Sequence, residues 1–173
     1  VAWGMIAEAG VGQWKTYTSK RQVRDLTVDR GVVWAATSGG LFSVDPQSFR
    51  YTQYSTSEGL KTIDLTAVTA DGSGKIWTGS AGGFLQSFDP FTNAWQYVSD
   101  IALRSDPQKR INALTAVGDT LFILSDIGLS IFSISRMEFR ATYSRFGPGP
   151  NPIVGGVTGI AFYHNALWVS TRS

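Results

Sequence analysis

Large aromatic residues recur along this chain at nearly constant intervals: Trp34, Trp77, Phe122 and Trp168 are separated by 43, 45 and 46 residues. A repeat of this period constrains the fold more than any other feature, because a small recurring unit cannot bury its apolar face alone and has to stack on its neighbours. The residues after each aromatic also recur. Trp34 leads to Gly39, Gly40 and Leu41 and then Asp45-Pro46; Trp77 leads to Gly82, Gly83 and Phe84 and then Asp89-Pro90; Phe122 leads to Ile127, Gly128 and Leu129 and then Ser135-Arg136. Three units are visible in full, and a fourth starts at Val157.

Within a unit, apolar residues alternate over short runs broken by turn chemistry, which predicts several short antiparallel strands. The second unit reads as strand a "LTAVTAD", strand b "KIWTGSA", strand c "FLQSFD" and strand d "AWQYVS". The first reads "DLTVD", "VVWAATS", "LFSVD" and "RYTQYS", the third "ALTAV", "TLFILS", "LSIFSIS" and "FRATYS". In the fourth only "VTGIAFY" and "ALWVS" are present. No segment has a 3.6-residue apolar period, so almost no helix is expected.

The recurring residues have physical roles in such a unit. The paired glycines, with Gly40, Gly83 and Gly128 at the matched positions, supply the positive φ angles of a tight b–c hairpin. Asp-Pro ends strand c, since proline has no amide for the ladder and aspartate caps the turn. The aromatic on strand b fills the space between neighbouring sheets. Four-stranded sheets repeating at this period predict an all-β fold, a partial β-propeller of about four blades. Three are complete and one is split or truncated, as in a fragment of a larger ring of six to eight. "GQWKTYTS" at 12–19 matches the end of a unit, so the fold is expected to span 13–173 and the missing residues to lie beyond Ser173, with the rest of the ring supplied by further blades of the same polypeptide.

Residues 1–12 are read apart from the fold. "VAWGMIAEAG" joins a short apolar run to Ala7-Glu8-Ala9, in the manner of a secretory cleavage site; a terminal segment without that role is the other reading. The composition, 43% hydrophobic and 16% charged, is that of a folded domain. With no cysteine there is no disulfide framework or thiolate metal site. No cofactor and no metal are expected.

Catalysis has little support in the residue pattern. The one histidine, His164, falls in the a–b hairpin of the last unit without a recognisable partner motif. Asp29, Asp71 and Asp119 recur at hairpin turns, where capping accounts for them; a propeller glycoside hydrolase or lyase using paired carboxylates is the minor alternative. "WKTYTSKRQVR" mixes Trp14 and Tyr17 with Lys15, Lys20, Arg21 and Arg24, a combination that can stack bases, but it reads better as an outer strand with a solvated loop, so no nucleic-acid partner is expected. The d–a connections at 55–64, 99–111 and 144–156 emerge on one face, the natural recognition surface of a rigid scaffold. Candidate binding residues there are Lys61, Asp64, Arg104, Lys109, Arg110 and Arg145.

The run Asp-Gly-x-Gly, then x-Ile-Trp-x-Gly-x-x-x-Gly, then a strand ending in Asp, resembles the two-component-regulator propeller repeat. Residues 71–89 and 34–45 carry it best, while the third unit keeps Gly128 but has Phe122 for tryptophan and lacks Asp-Pro. The opening "GQWKTYTSKRQVRDLTVDRGVVWAATSGGLFSVD" is similar to the start of the N-terminal propeller of PorZ-like proteins, which are linked to type IX secretion. This resemblance implies an exported, cell-envelope propeller, located in the periplasm or at the cell surface of a Gram-negative-type bacterium. It implies a non-enzymatic binding or scaffold module for a protein, glycan or lipopolysaccharide partner. In regulator relatives it implies a periplasmic sensor of saccharides instead.

Overall fold

The computed structural model describes residues 22–147, 150–164 and 166–172. The expectations for residues 1–12 and for the strand at 12–19 lie outside the described residues. Sixteen strands and a single 3-10 turn, Thr56–Glu58, make up the described chain. The first sheet holds β1 (Val23–Asp29), β2 (Val32–Thr37), β3 (Gly40–Val44) and β4 (Tyr51–Tyr54). The second holds β5 (Leu65–Ala70), β6 (Ile76–Ser80), β7 (Leu85–Asp89) and β8 (Ala94–Val98), and the third β9 (Ile111–Val117), β10 (Thr120–Ser125), β11 (Gly128–Ser133) and β12 (Glu138–Tyr143). Each is an antiparallel meander in sequence order. A short ribbon of β13 (Arg145–Phe146) and β14 (Ile153–Val154) interrupts the third d–a connection, where an irregular loop was expected. A longer two-stranded ribbon, β15 (Gly156–Tyr163) with β16 (Ala166–Arg172), follows at the position of the fourth unit.

Aromatic residues join the sheets face to face as the repeat predicts. Trp34 on β2 meets Phe88 on β7 at 6.1 Å between centroids, and Trp77 on β6 meets Phe132 on β11 at 5.7 Å. Phe122 on β10 meets Phe162 on β15 at 5.3 Å. Three buried clusters result, one at each junction between consecutive sheets. Full burial of a large apolar side chain contributes about 1.5–3 kcal/mol, so these junctions dominate the stability of sheets that are each only one layer thick.

Trp168 departs from the expectation. It occupies the same register position on β16, opposite Ala161, yet is 62% exposed, whereas Trp77 is fully buried. The difference has a plain cause: among the described residues no sheet packs on that face of the β15–β16 ribbon. The glycine pairs need a smaller correction. In Gly39-Gly40 and Gly82-Gly83 only the second residue turns left-handed, with φ of 116° at Gly40 and 81° at Gly83, and the single Gly128 at the matched position has φ of 128°. Crowding adds to the conformational demand: a Cβ on Gly40 or Gly128 would come within 2.3 or 2.1 Å of the carbonyl oxygen of Tyr54 or Tyr143.

A second repeat accompanies the aromatic one. The first strand of each four-stranded sheet, and of the final ribbon, carries one extra residue near its start, a β-bulge at Arg24, Thr66, Asn112 and Thr158. Three of these side chains reach the next sheet. Arg24 Nη1 donates to the Leu65 carbonyl at 3.0 Å, Thr66 Oγ1 to that of Ile111 at 2.5 Å, and Asn112 Nδ2 to that of Val157 at 3.0 Å. Each acceptor is the residue just before the next bulge, so the first strands of consecutive sheets are latched in series. Thr158 has its hydroxyl against Ser170 of its own ribbon instead.

Candidate functional site

Main-chain geometry places the d–a connections beside the b–c turns. The amides of Ser38, Ala81 and Asp126 in those turns donate to the carbonyls of Gln22, Asp64 and Arg110, each just before strand a of the same sheet. Serine or threonine at the end of strand b supports each turn: Thr37 Oγ1 and Ser125 Oγ donate to the carbonyls of Gly40 and Gly128, and Ser80 Oγ accepts from the Phe84 amide. A rigid face results, on which the loops are held.

The first loop is tightly tied. Ser55 and Glu58 form a capping box around the 3-10 turn. Trp95 Nε1 donates to the Glu58 carbonyl at 2.8 Å and Tyr97 Oη to the Gly59 carbonyl. The Lys61 amide donates to Gln86 Oε1 at 2.6 Å, while its ammonium stands 5.9 Å from the Tyr97 ring centroid. Asp64 pairs with Arg24 at 2.6 Å. Both residues therefore have structural duties.

The second loop brings Arg104 and Lys109 together. Lys109 Nζ donates to the carbonyls of Ala102 and Arg104 at 2.6 and 2.8 Å, which fastens the loop on itself. Arg104 Nε donates to Asp106 Oδ2 at 2.7 Å, a bond that holds the Asp106 carboxyl below its usual pKa. Arg110 contributes its carbonyl to the Asp126 amide. Arg145 sits in β13 and takes no part in this cluster.

Between this loop and the third sheet lies a cleft of about 220 Å³ lined by Asp100, Ile101, Arg104, Ile127, Phe139 and Thr142. Its apolar wall continues into the core, since Phe139 packs edge-on to Phe132 at 5.1 Å. Of the six candidates read from sequence, Arg104 alone lines it. Ile127 and Phe139 were missed because, in an alternating pattern, an apolar residue that walls a cleft looks the same as one in the core.

The recurring aspartates are occupied by folding. Asp71 Oδ1 accepts from the Ser73 amide and hydroxyl and from the Lys75 amide, and Oδ2 accepts from Trp77 Nε1 at 2.8 Å. Burial raises the Asp71 pKa, but these hydrogen bonds outweigh it and leave the carboxyl below its ordinary value. Asp119 accepts from the Ser135 amide, which lowers its pKa, and from Ser133 Oγ and Arg140. Asp45 and Asp89 accept amides of their own c–d turns, at Gln47 and Phe91. His164 lies in the β15–β16 turn with φ of 47° and packs edge-on to Tyr163.

No family model and no curated protein matches the chain. Solved structures do match in fold. PorZ, the surface component of the type IX secretion system of Porphyromonas gingivalis, is similar with a TM-score of 0.76 and 20% identity, over 91% of this chain and 20% of that one. The extracellular domain of a candidate one-component system from B. thetaiotaomicron is similar with a TM-score of 0.66 and 17% identity, over 87% of this chain and 19% of that one. The computationally designed protein Ika8 is similar with a TM-score of 0.61 and 14% identity, over 84% of this chain and 42% of that one. The chain thus spans about a fifth of the length of those two solved natural chains. Among its described residues no helix is long and apolar enough to cross a membrane. In fold, the chain is a β-propeller segment of the type found in the extracellular domains of two-component-type regulators and in PorZ.

Proposed function

We propose that the chain is a non-enzymatic recognition and scaffold module of an exported cell-envelope protein, serving type IX secretion. One observation carries the binding reading: the loop face holds a preorganised cleft with an apolar wall and a charged rim, the usual composition of a recognition site. The carboxylates argue against hydrolysis. A glycosidase acid needs a raised pKa, whereas Asp71 and Asp119 are lowered and bonded into turns. The likeness to PorZ supports the secretion setting, and the likeness to regulator domains supports a second reading, a periplasmic sensor of saccharides.

A cell-based comparison separates the two. Cells lacking the protein and complemented cells are fractionated, and secreted proteins bearing a type IX sorting domain are followed. Retention of that cargo in the periplasm of the deficient cells is the expected result. Normal secretion would overturn the secretion role; if transcription then fails to respond to added polysaccharide, the sensor reading takes its place.

A further inference from the structure

The cleft beside Arg104 has a chemistry that selects its occupant, an inference that rests on the recognition reading above. Its size is below the roughly 300–1,000 Å³ of pockets that enclose a drug-sized ligand, so it suits one end of a longer molecule. Ile101 is almost fully buried and forms part of the wall with Ile127 and Phe139. The wall is firm, because Phe139 rests on Phe132, which in turn rests on Trp77.

The rim is polar and of mixed charge. Arg104 meets Asp106 through Nε, so one of its five N–H groups is engaged there. Its main chain is fixed by the Lys109 ammonium at 2.8 Å, so the loop needs little ordering when a ligand arrives. Opposite charge comes from the exposed carboxylate of Asp100, and Thr142 contributes a hydroxyl that also contacts Ser130 Oγ at 3.0 Å. A guanidinium fork matches a carboxylate in two-point geometry, an apolar wall matches an aliphatic side chain, and a carboxylate accepts from an amide N–H. A polypeptide ending in an aliphatic residue presents all three groups within one residue.

We propose that this cleft binds the C-terminal end of a polypeptide whose last residue is aliphatic. The terminal carboxylate lies on Arg104, the last side chain against Ile101, Ile127 and Phe139, and the last peptide N–H on Asp100. A neutral sugar has no carboxylate for Arg104 and a fatty acid has no N–H for Asp100, so both are weaker fits.

The test uses amide chemical-shift titration of the full chain with acetyl-Gly-Gly-Leu as the free acid, the same peptide as its C-terminal amide, and 4-methylpentanoate. The free acid is expected to shift amides at 100–104, 127 and 139–142 and to bind at least about tenfold more tightly than the peptide amide, a difference equivalent to about 1.4 kcal/mol. Arg104→Gln is expected to erase that preference. Arg136→Gln, on the exposed c–d turn of the same sheet, is expected to leave it intact. Equal binding of acid and amide, a preference that survives Arg104→Gln, 4-methylpentanoate binding as tightly as the peptide, or no shift at any peptide concentration would each overturn the proposal. None of these results bears on the cargo-secretion experiment, so the two readings fail separately.

Discussion

Trp77 donates its indole N–H to Asp71 at 2.8 Å across the β5–β6 turn, which links the residue that caps the turn to the one that joins two sheets. Loss of the carboxylate would leave the turn amides and a buried indole N–H short of an acceptor, at about 1–3 kcal/mol for a buried unsatisfied donor. Asp71→Ala is therefore expected to destabilise the chain by about that amount at neutral pH in urea unfolding.

The same carboxylate makes a pH prediction. Its folded pKa is depressed below the unfolded value near 3.8, so its contribution is complete above that value and fades as pH falls through the lower folded pKa. Thermal unfolding between pH 7 and pH 2 is expected to show the stability gap between the parent and Asp71→Asn narrowing below about pH 4, near the intrinsic carboxylate pKa. A gap that stays constant to pH 2 would contradict the hydrogen-bond assignment.

Gly128 tests the turn chemistry. Its φ of 128° and the nearby Tyr143 carbonyl leave no room for a methyl group. Gly128→Ala is expected to cost about 1–3 kcal/mol from backbone strain alone, whereas Gly118→Ala, with open space around its Cβ position but φ of 57°, bears the smaller αL penalty of about 1–2 kcal/mol. Circular dichroism melts of the two variants check the order.

How far the sequence could be read follows from these residues. Trp34, Trp77 and Phe122 were legible because each is a large aromatic in a short alternating run, and the spacing repeats. The bulges at Arg24, Thr66 and Asn112 were not, because three unrelated side chains do the same job and an added residue only blurs a two-residue period. Thr37, Ser80 and Ser125 sit three residues after the strand-b aromatic, a signal present in the sequence but too ordinary in composition to stand out. In the candidate site, charge pointed to the loop that carries Arg104, but the apolar wall beside it depends on how the loop lands on the third sheet.

The latch between the first strands of consecutive sheets predicts a contrast within one substitution type. Thr66→Val removes a hydrogen bond to the next sheet and is expected to cost about 1 kcal/mol. Thr158→Val changes a hydroxyl that contacts only its own ribbon among the described residues and is expected to stay within about 0.5 kcal/mol. Guanidinium unfolding of both variants measures the difference.

Thr78 offers a stabilising change. It is fully buried and its hydroxyl has no partner among the described residues, so Thr78→Val keeps the shape and removes an unpaired polar atom. A gain of about 1 kcal/mol is expected, equivalent to a rise of about 2–4 °C in Tm for a chain of this size.

Consecutive sheets are held together above all by rings that meet across each junction. Aromatic NOE spectroscopy tests this most directly. Cross-peaks between the Trp77 indole and the Phe132 ring, and between Trp34 and Phe88, are predicted from centroid distances of 5.7 and 6.1 Å. Well-resolved ring signals with neither cross-peak, and a Trp77 indole N–H exchanging as fast as that of a solvent-exposed tryptophan, would contradict it.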